Sequence, residues 1–186
     1  MTDLKTSSTA ILGAAAEYYV MCELLRRQKI AALAPAGVPY ADIIVSDRYG
    51  RALSAVQVKA RRLGADGGWH MKAKHETIVG DLIFYCFVDF GSKLDPPKCW
   101  VLPSNIVATA LCRSHKAWLE QPGRGGKAHN DHDMRRFRPD YSDLKLLGYG
   151  PDWLVPYYKR WDLIASASPG ASGAPGFSNG DTTAAR

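Results

Sequence analysis

Asp42, Gln57 and Lys59 stand in the pattern D-x(14)-Q-x-K, an acid, an amide and an amine threaded into two otherwise apolar runs. Residues two apart on a β-strand point to the same side, so Gln57 and Lys59 share one face of AVQVKA while Val56 and Val58 take the other. Asp42 enters the neighbouring run at its outer end, where hairpin pairing sets its carboxylate beside both. That convergence suits a hard divalent cation. Mg²⁺ takes oxygen ligands, usually one or two protein carboxylates, and fills its other positions with water and phosphate oxygens. Asp42 would supply the carboxylate, Gln57 its amide oxygen and Val58 its main-chain carbonyl. The Lys59 ammonium would orient an attacking water or offset charge on a pentacovalent phosphate. Glu17 is a fourth candidate: Gly13, Val20, Met21 and Leu24 put it on an apolar helix stripe, where a carboxylate needs a cation or a strong donor.

These groups must be positioned by local elements that the pattern predicts. The Ala-, Leu- and Glu-rich run after Thr6–Thr9 predicts a helix over about 8–29, ending on basic residues that suit a helix C-terminus. A short strand at Ile30–Leu33 and the turn PAGVP precede two strands, Ile43–Ser46 and Leu53–Ala60, joined by DRYG as a β-hairpin. After the loop LGADGG, WHMKAKHE alternates like a half-exposed strand, and DLIFYCFVDF (81–90) reads as the central strand. CWVLP is a further strand, and Ser104 is expected to cap the helix SNIVATALCRSHKAWLE. The polar, Gly-rich segment 121–141 reads as a long excursion, partly loop, before aromatic residues return to dock on the core. Residues 1–165 are expected to form one domain and the Ser-, Gly-, Ala- and Pro-rich 166–186 a disordered tail.

The order helix with Glu17, strand with Asp42, strand with Gln57-x-Lys59, carried by AAAEYYVMCELLRRQ, PYADIIV and AVQVKA, resembles the PD-(D/E)XK nuclease superfamily, including Holliday-junction-resolvase-like and homing or restriction endonucleases. The resemblance covers about Ala10 to Arg62. It implies a restriction-endonuclease-like αβββαβ core, a mixed β-sheet flanked by helices with C-terminal helical and loop additions. It also implies Mg²⁺-dependent hydrolysis of DNA phosphodiesters, with Mn²⁺ as a substitute. By the match, Asp42 is the metal-binding aspartate, Gln57 the second acidic position, Lys59 the motif lysine and Glu17 the helix glutamate. Ala41 stands where many members have proline. Gln57 removes one negative charge, which Glu17 can restore. Many members cut as dimers, so a homodimer is compatible. The alternative is a catalytically inactive nucleic-acid-binding module of the same fold.

A net charge of +6 over 186 residues makes a polyanion partner sensible. Arg61 and Arg62, directly after the motif lysine, could reach phosphates flanking the scissile one. Arg124, Lys127, Arg135 and Arg136 lie in the basic excursion, where with Arg138 and Phe137 they could track a strand and stack a base. HNDHD (129–133) lacks zinc-ligand spacing and reads as a polar loop, and the five tryptophans read as core anchors. Cys22, Cys86, Cys99 and Cys112 form no C-x-x-C pair, which favours reduced thiols and a cytoplasmic location. No run is apolar enough for a membrane span, and Walker, G-x-S-x-G and dinucleotide fingerprints are absent.

Overall fold

The computed structural model describes residues 9–62, 67–91 and 95–164; the expected tail and most of the loop LGADGG lie outside them. The first helix, α1 (Thr9–Leu25), is shorter than the composition suggests. Gln28 takes a left-handed conformation (φ 60°), and the N–H groups of Gln28 and Lys29 return to the carbonyls of Leu25 and Leu24, a Schellman-type close. Ala16, Val20 and Leu24, four apart, form its buried stripe.

Strands β1 (Ile30–Leu33), β2 (Ile43–Ser46) and β3 (Ser54–Arg61) follow as an antiparallel meander. The expected hairpin is the β2–β3 pair, with Ile43 opposite Val56. β4 (Trp69–Lys72) and a 3₁₀ turn at Ala73–Glu76 then lead back to β5 (Ile83–Asp89), which runs parallel to β3, and β6 (Lys98–Pro103) pairs antiparallel with β5. The result is a five-stranded mixed sheet in the order β1-β2-β3-β5-β6. The α/β class and the helix-flanked mixed sheet match expectation. The crossover between the parallel strands is filled by β4 and the 3₁₀ turn, while α2 (Ser104–Glu120) comes after β6. β3 is the middle strand; β5 lies between it and β6, with six of its seven residues buried.

One core fills the space between the sheet and α1, through Val20, Leu24, Ile43, Val56, Val58 and Cys86. The other lies on the opposite face, where Tyr85, Phe87 and Leu102 meet Leu111 of α2 and the inner residues Trp69 and Phe137. Each fully buried side chain of this size contributes about 1.5–3 kcal/mol. Phe137 belongs to β7 (Met134–Phe137), the strand hidden in the excursion, which pairs antiparallel with β4 in a separate two-stranded ribbon. Ser104 does not cap α2. Pro103 occupies the cap position, and the Ser104 hydroxyl accepts from the Gly80 N–H (2.9 Å) and donates to the Gly80 carbonyl (3.0 Å), tying α2 to the turn before β5. The WHMKAKHE segment is a strand only to Lys72, then turns. All four cysteines are free thiols, and no helix among the described residues is long and apolar enough to cross a membrane.

Candidate active site and nucleic-acid cleft

The β2–β3 ladder stops before β3 does. β2 begins at Ile43, and the last main-chain bond across the pair is Asp42 N–H to the Val56 carbonyl (2.9 Å). β3 continues to Arg61 against β5 alone. Main-chain N–H and C=O of one residue face the same neighbouring strand, so Val58 presents both to the space β2 has vacated. Asp42 fills half of that gap: its Oδ2 accepts the Val58 N–H at 2.7 Å and also the Gln57 side-chain amide. Beyond Pro39, Tyr40 is held at φ 65°, an unusual conformation for a bulky residue, and this bend delivers Asp42 to the end of the ladder.

Because the Asp42 carboxylate takes a main-chain donor of β3, it lies within the layer of the sheet, where groups from both faces can reach it. Gln57 and Lys59 come from the face shared with Tyr85 and Phe87, their register partners on β5. Glu17 comes from α1 on the other face. Burial pushes the Glu17 carboxyl above its ordinary value, the Asp42 charge pushes it further, and Lys59 opposes. Burial likewise holds Lys59 below the usual lysine range; Asp42 and Glu17 pull it up, and Lys74 pushes it down. Glu17, Asp42 and Lys59 are thus electrostatically joined, and Gln57 joins them through its hydrogen bond to Asp42.

The donor set fits a hard cation. Among the described residues nothing donates to Asp42 Oδ1 or Gln57 Oε1, so these oxygens and the Val58 carbonyl, on residues tied together by the Asp42 Oδ2 bonds, are the candidate donors. No group of three or more His, Cys, Asp and Glu among the described residues could hold a metal ion, so a thiolate- or imidazole-rich centre is not what these residues offer. Two carboxylates, an amide and a main-chain carbonyl are oxygen donors of the kind Mg²⁺ accepts while keeping waters.

Lys59 opens into a cleft of about 600 Å³ that is also lined by His70, Lys72, Lys74, His75 and Asp133. His75 is buried, and its Nδ1 shares a 2.9 Å hydrogen bond with the Tyr85 hydroxyl. Burial first, then the charges of Lys59 and Lys74, push the imidazole down to about 4, with Asp133 opposing. Burial and the Asp42 charge raise the Tyr85 phenol. These cleft residues carry no motif. The available signal is the alternation of His70, Lys72 and Lys74, which places like side chains on one side.

The arginines expected at phosphates divide. Arg61 is held by Asp89, with Nη2 at 2.8 Å from Oδ2, and lies 4.0 Å over the Trp69 ring; this packing ties β3 to β4. Arg135 is buried and pairs with Glu76 while donating to the Met134 carbonyl at 3.0 Å, so it anchors the ribbon instead of facing a strand. Arg62 and Arg136 are exposed. Arg124 lies on a 3₁₀ turn, and the exposed Lys127 just after it does not line the cleft. Arg138 is paired with Asp143, and Phe137 is buried in the core, where it cannot stack a base. His129 and His132 of HNDHD pack on the Trp118 indole.

No protein-family model and no curated protein matches the chain. Among solved structures it is similar to the bacterial homing endonuclease I-Ssp6803I, at 15% identity over 86% of this chain and 93% of that one, with a TM-score of 0.47.

Proposed function

We propose that the chain is a metal-dependent endonuclease hydrolysing DNA phosphodiesters. The observation that carries this reading is Asp42 bonded to the Gln57 amide and the Val58 N–H at the open end of the β2–β3 ladder, with Glu17 and Lys59 within electrostatic reach and Lys59 lining a cleft with further cations. Asp42, Gln57 Oε1 and the Val58 carbonyl would hold Mg²⁺ or Mn²⁺, with Glu17 as a fourth oxygen donor. When bound, the metal supplies Lewis-acid polarisation of a phosphate oxygen and a more acidic water. Lys59 donates hydrogen bonds to the attacking water or to a non-bridging oxygen and offsets the charge that builds on phosphorus. Lys72 and Lys74 hold flanking phosphates through contacts whose strength falls with salt.

The test is a cleavage assay of the purified chain on linear, nicked, branched and single-stranded DNA, with Mg²⁺, Mn²⁺ or EDTA. Metal-dependent cuts are expected, lost in Asp42→Ala and Lys59→Ala without loss of fold. Cleavage that survives both substitutions refutes the assignment. A second reading has its own support, since Asp42 Oδ2 already accepts two protein donors and is held in place without a cation. A silent binding module of this kind would show salt-sensitive DNA binding with no turnover under any metal.

A further inference from the structure

The β4–β7 ribbon has one face in the core and one in solvent. Trp69, Met71, Arg135 and Phe137 point inward; His70, Lys72, Met134 and Arg136, alternate residues on the two strands, point out. The register sets His70 directly opposite Arg136 and Lys72 opposite Met134. The outer face is therefore a compact cationic patch with one apolar corner. On the β4 side the ribbon falls into the cleft of about 600 Å³ that holds Lys59 and Lys74. On the β7 side it falls into a second cleft of about 400 Å³, lined by His115, Trp118, Arg136 and Arg138. Both clefts reach Met134.

A ridge two strands wide between two cationic recesses is the complement of a groove between two phosphate backbones. The B-DNA major groove, about 12 Å wide, admits a two-stranded β-ribbon, and paired strands lie about 4.8 Å apart. The ridge is also held in place before any partner arrives. A Cβ on Gly68 would lie 2.5 Å from the Phe137 carbonyl oxygen, so the root of the ribbon is in close contact. At the same end, the Tyr141 hydroxyl donates to the Arg136 carbonyl at 3.1 Å and accepts from the Arg138 N–H at 2.8 Å, and at the far end the Ala73 N–H donates to the Asp133 carbonyl at 2.7 Å. A pre-organised element loses less freedom on binding. Apart from the His70 imidazole the outer face carries no aromatic ring on which a splayed base could stack, which favours duplex over single strand.

We propose that the β4–β7 ribbon enters the major groove of duplex DNA. His70 and Arg136 meet base edges, and the two clefts take the flanking phosphates. This deepens the nucleic-acid reading above and rests on it. A guanidinium at this position can take guanine O6 and N7 together, and an opposed imidazole can donate to or accept from the adjacent pair.

The test measures binding of the full chain by fluorescence anisotropy in EDTA, where no metal-dependent cleavage interferes. The probes are a mixed-sequence duplex, the same duplex with bulky C5 substituents filling the major groove, and its single strand. Binding to the plain duplex is expected to be about tenfold or more tighter than to either other probe, and His70→Ala/Arg136→Ala is expected to weaken it by about tenfold or more with an unchanged melting temperature. Equal affinity for all three probes, or a double variant that binds like the parent, overturns the ribbon assignment. Failure to bind any probe overturns it as well. Cleavage with Mg²⁺ is scored separately. Ribbon-dependent duplex binding without any cleavage removes the catalytic reading and upholds the ribbon; cleavage by a double variant with unaltered binding does the reverse.

Discussion

Gln57→Glu tests the geometry of the site without relying on turnover. In the parent the Gln57 amide donates to Asp42 Oδ2, which also takes the Val58 N–H. The substitution replaces that donor with a second carboxylate at hydrogen-bonding range. Two like charges about 4 Å apart repel by about 4 kcal/mol at an effective dielectric constant of about 20. The pair can escape by taking up one proton, which costs about 4 kcal/mol at pH 7 for a glutamate of ordinary pKa and about 1.4 kcal/mol less for each pH unit below that. Both routes set a ceiling near 4 kcal/mol. At roughly 2–4 °C per kcal/mol for a chain of this size, the melting temperature in EDTA at pH 7 should fall measurably, by at most about 8–16 °C. The deficit should close toward pH 4.5, where a shared proton restores the hydrogen bond. Mg²⁺ at about 100 times its dissociation constant should return about 2.7 kcal/mol, because it binds the folded site and not the unfolded chain. Differential scanning fluorimetry across pH, with and without Mg²⁺, reads all three effects. A variant as stable as the parent in EDTA at pH 7, or a deficit indifferent to pH and to Mg²⁺, would show that Asp42 and residue 57 do not meet as described.

Neighbouring arginines on β7 should behave in opposite ways. Arg135→Ala strands Glu76 beneath the ribbon and should cost about 3 kcal/mol by urea unfolding, whereas Arg136→Ala, on the outer face, should stay within about 0.5 kcal/mol. His75 gives a pH signature. Its native value of about 4 lies below the 6.5 of the unfolded chain, so the unfolded state binds more protons between them. The stabilisation is fully present above about pH 6.5 and is lost as pH falls toward 4, by about 3 kcal/mol at most. His75→Gln should flatten that part of the stability profile, and an unchanged slope between pH 4 and 6.5 would refute a buried neutral imidazole.

What the sequence discloses depends on how local the cause is. α1, the β2–β3 hairpin, β5, β6 and α2 follow from periodicity and turn chemistry within single windows, and each is present close to the expected place. β7 is different. It has only four residues, two of them arginines, inside a polar segment, and its partner β4 lies more than sixty positions earlier, with Trp69 opposite Phe137. Four residues of alternation are too few to stand out, and a buried arginine contradicts the ordinary preference of that residue for water. The carboxylate that pairs with Arg135 inside, Glu76, is delivered by the 3₁₀ turn after β4 and adds to the nearby His132 and Met134 carbonyls, so the ion pair behind the burial has no local signature. Arg61 is hidden for the same reason, since Asp89 reaches it through the β3–β5 register.

The candidate site sits between these cases. The residue types of Asp42, Gln57, Lys59 and Glu17 were legible, because an acid, an amide and an amine in core strands conflict with burial unless something binds them. Hairpin pairing also brings Asp42 toward Gln57 and Lys59, but the main-chain gap that receives its carboxylate is not legible, because it depends on register. With Ile43 opposite Val56, β2 runs out one step before Val58, and a main-chain donor of an eight-residue strand is left for a carboxylate to take. Slipping the pair by one residue would turn Gln57 and Lys59 toward α1 and put Val56 and Val58 in the cleft, exchanging the whole site for apolar surface. The apolar side of the hairpin prevents that slip, since Ile43, Val45, Val56 and Val58 must all reach the same core. The hydrophobic pattern of the strands thus places the polar groups, and the unequal lengths of β2 and β3 create the gap they fill.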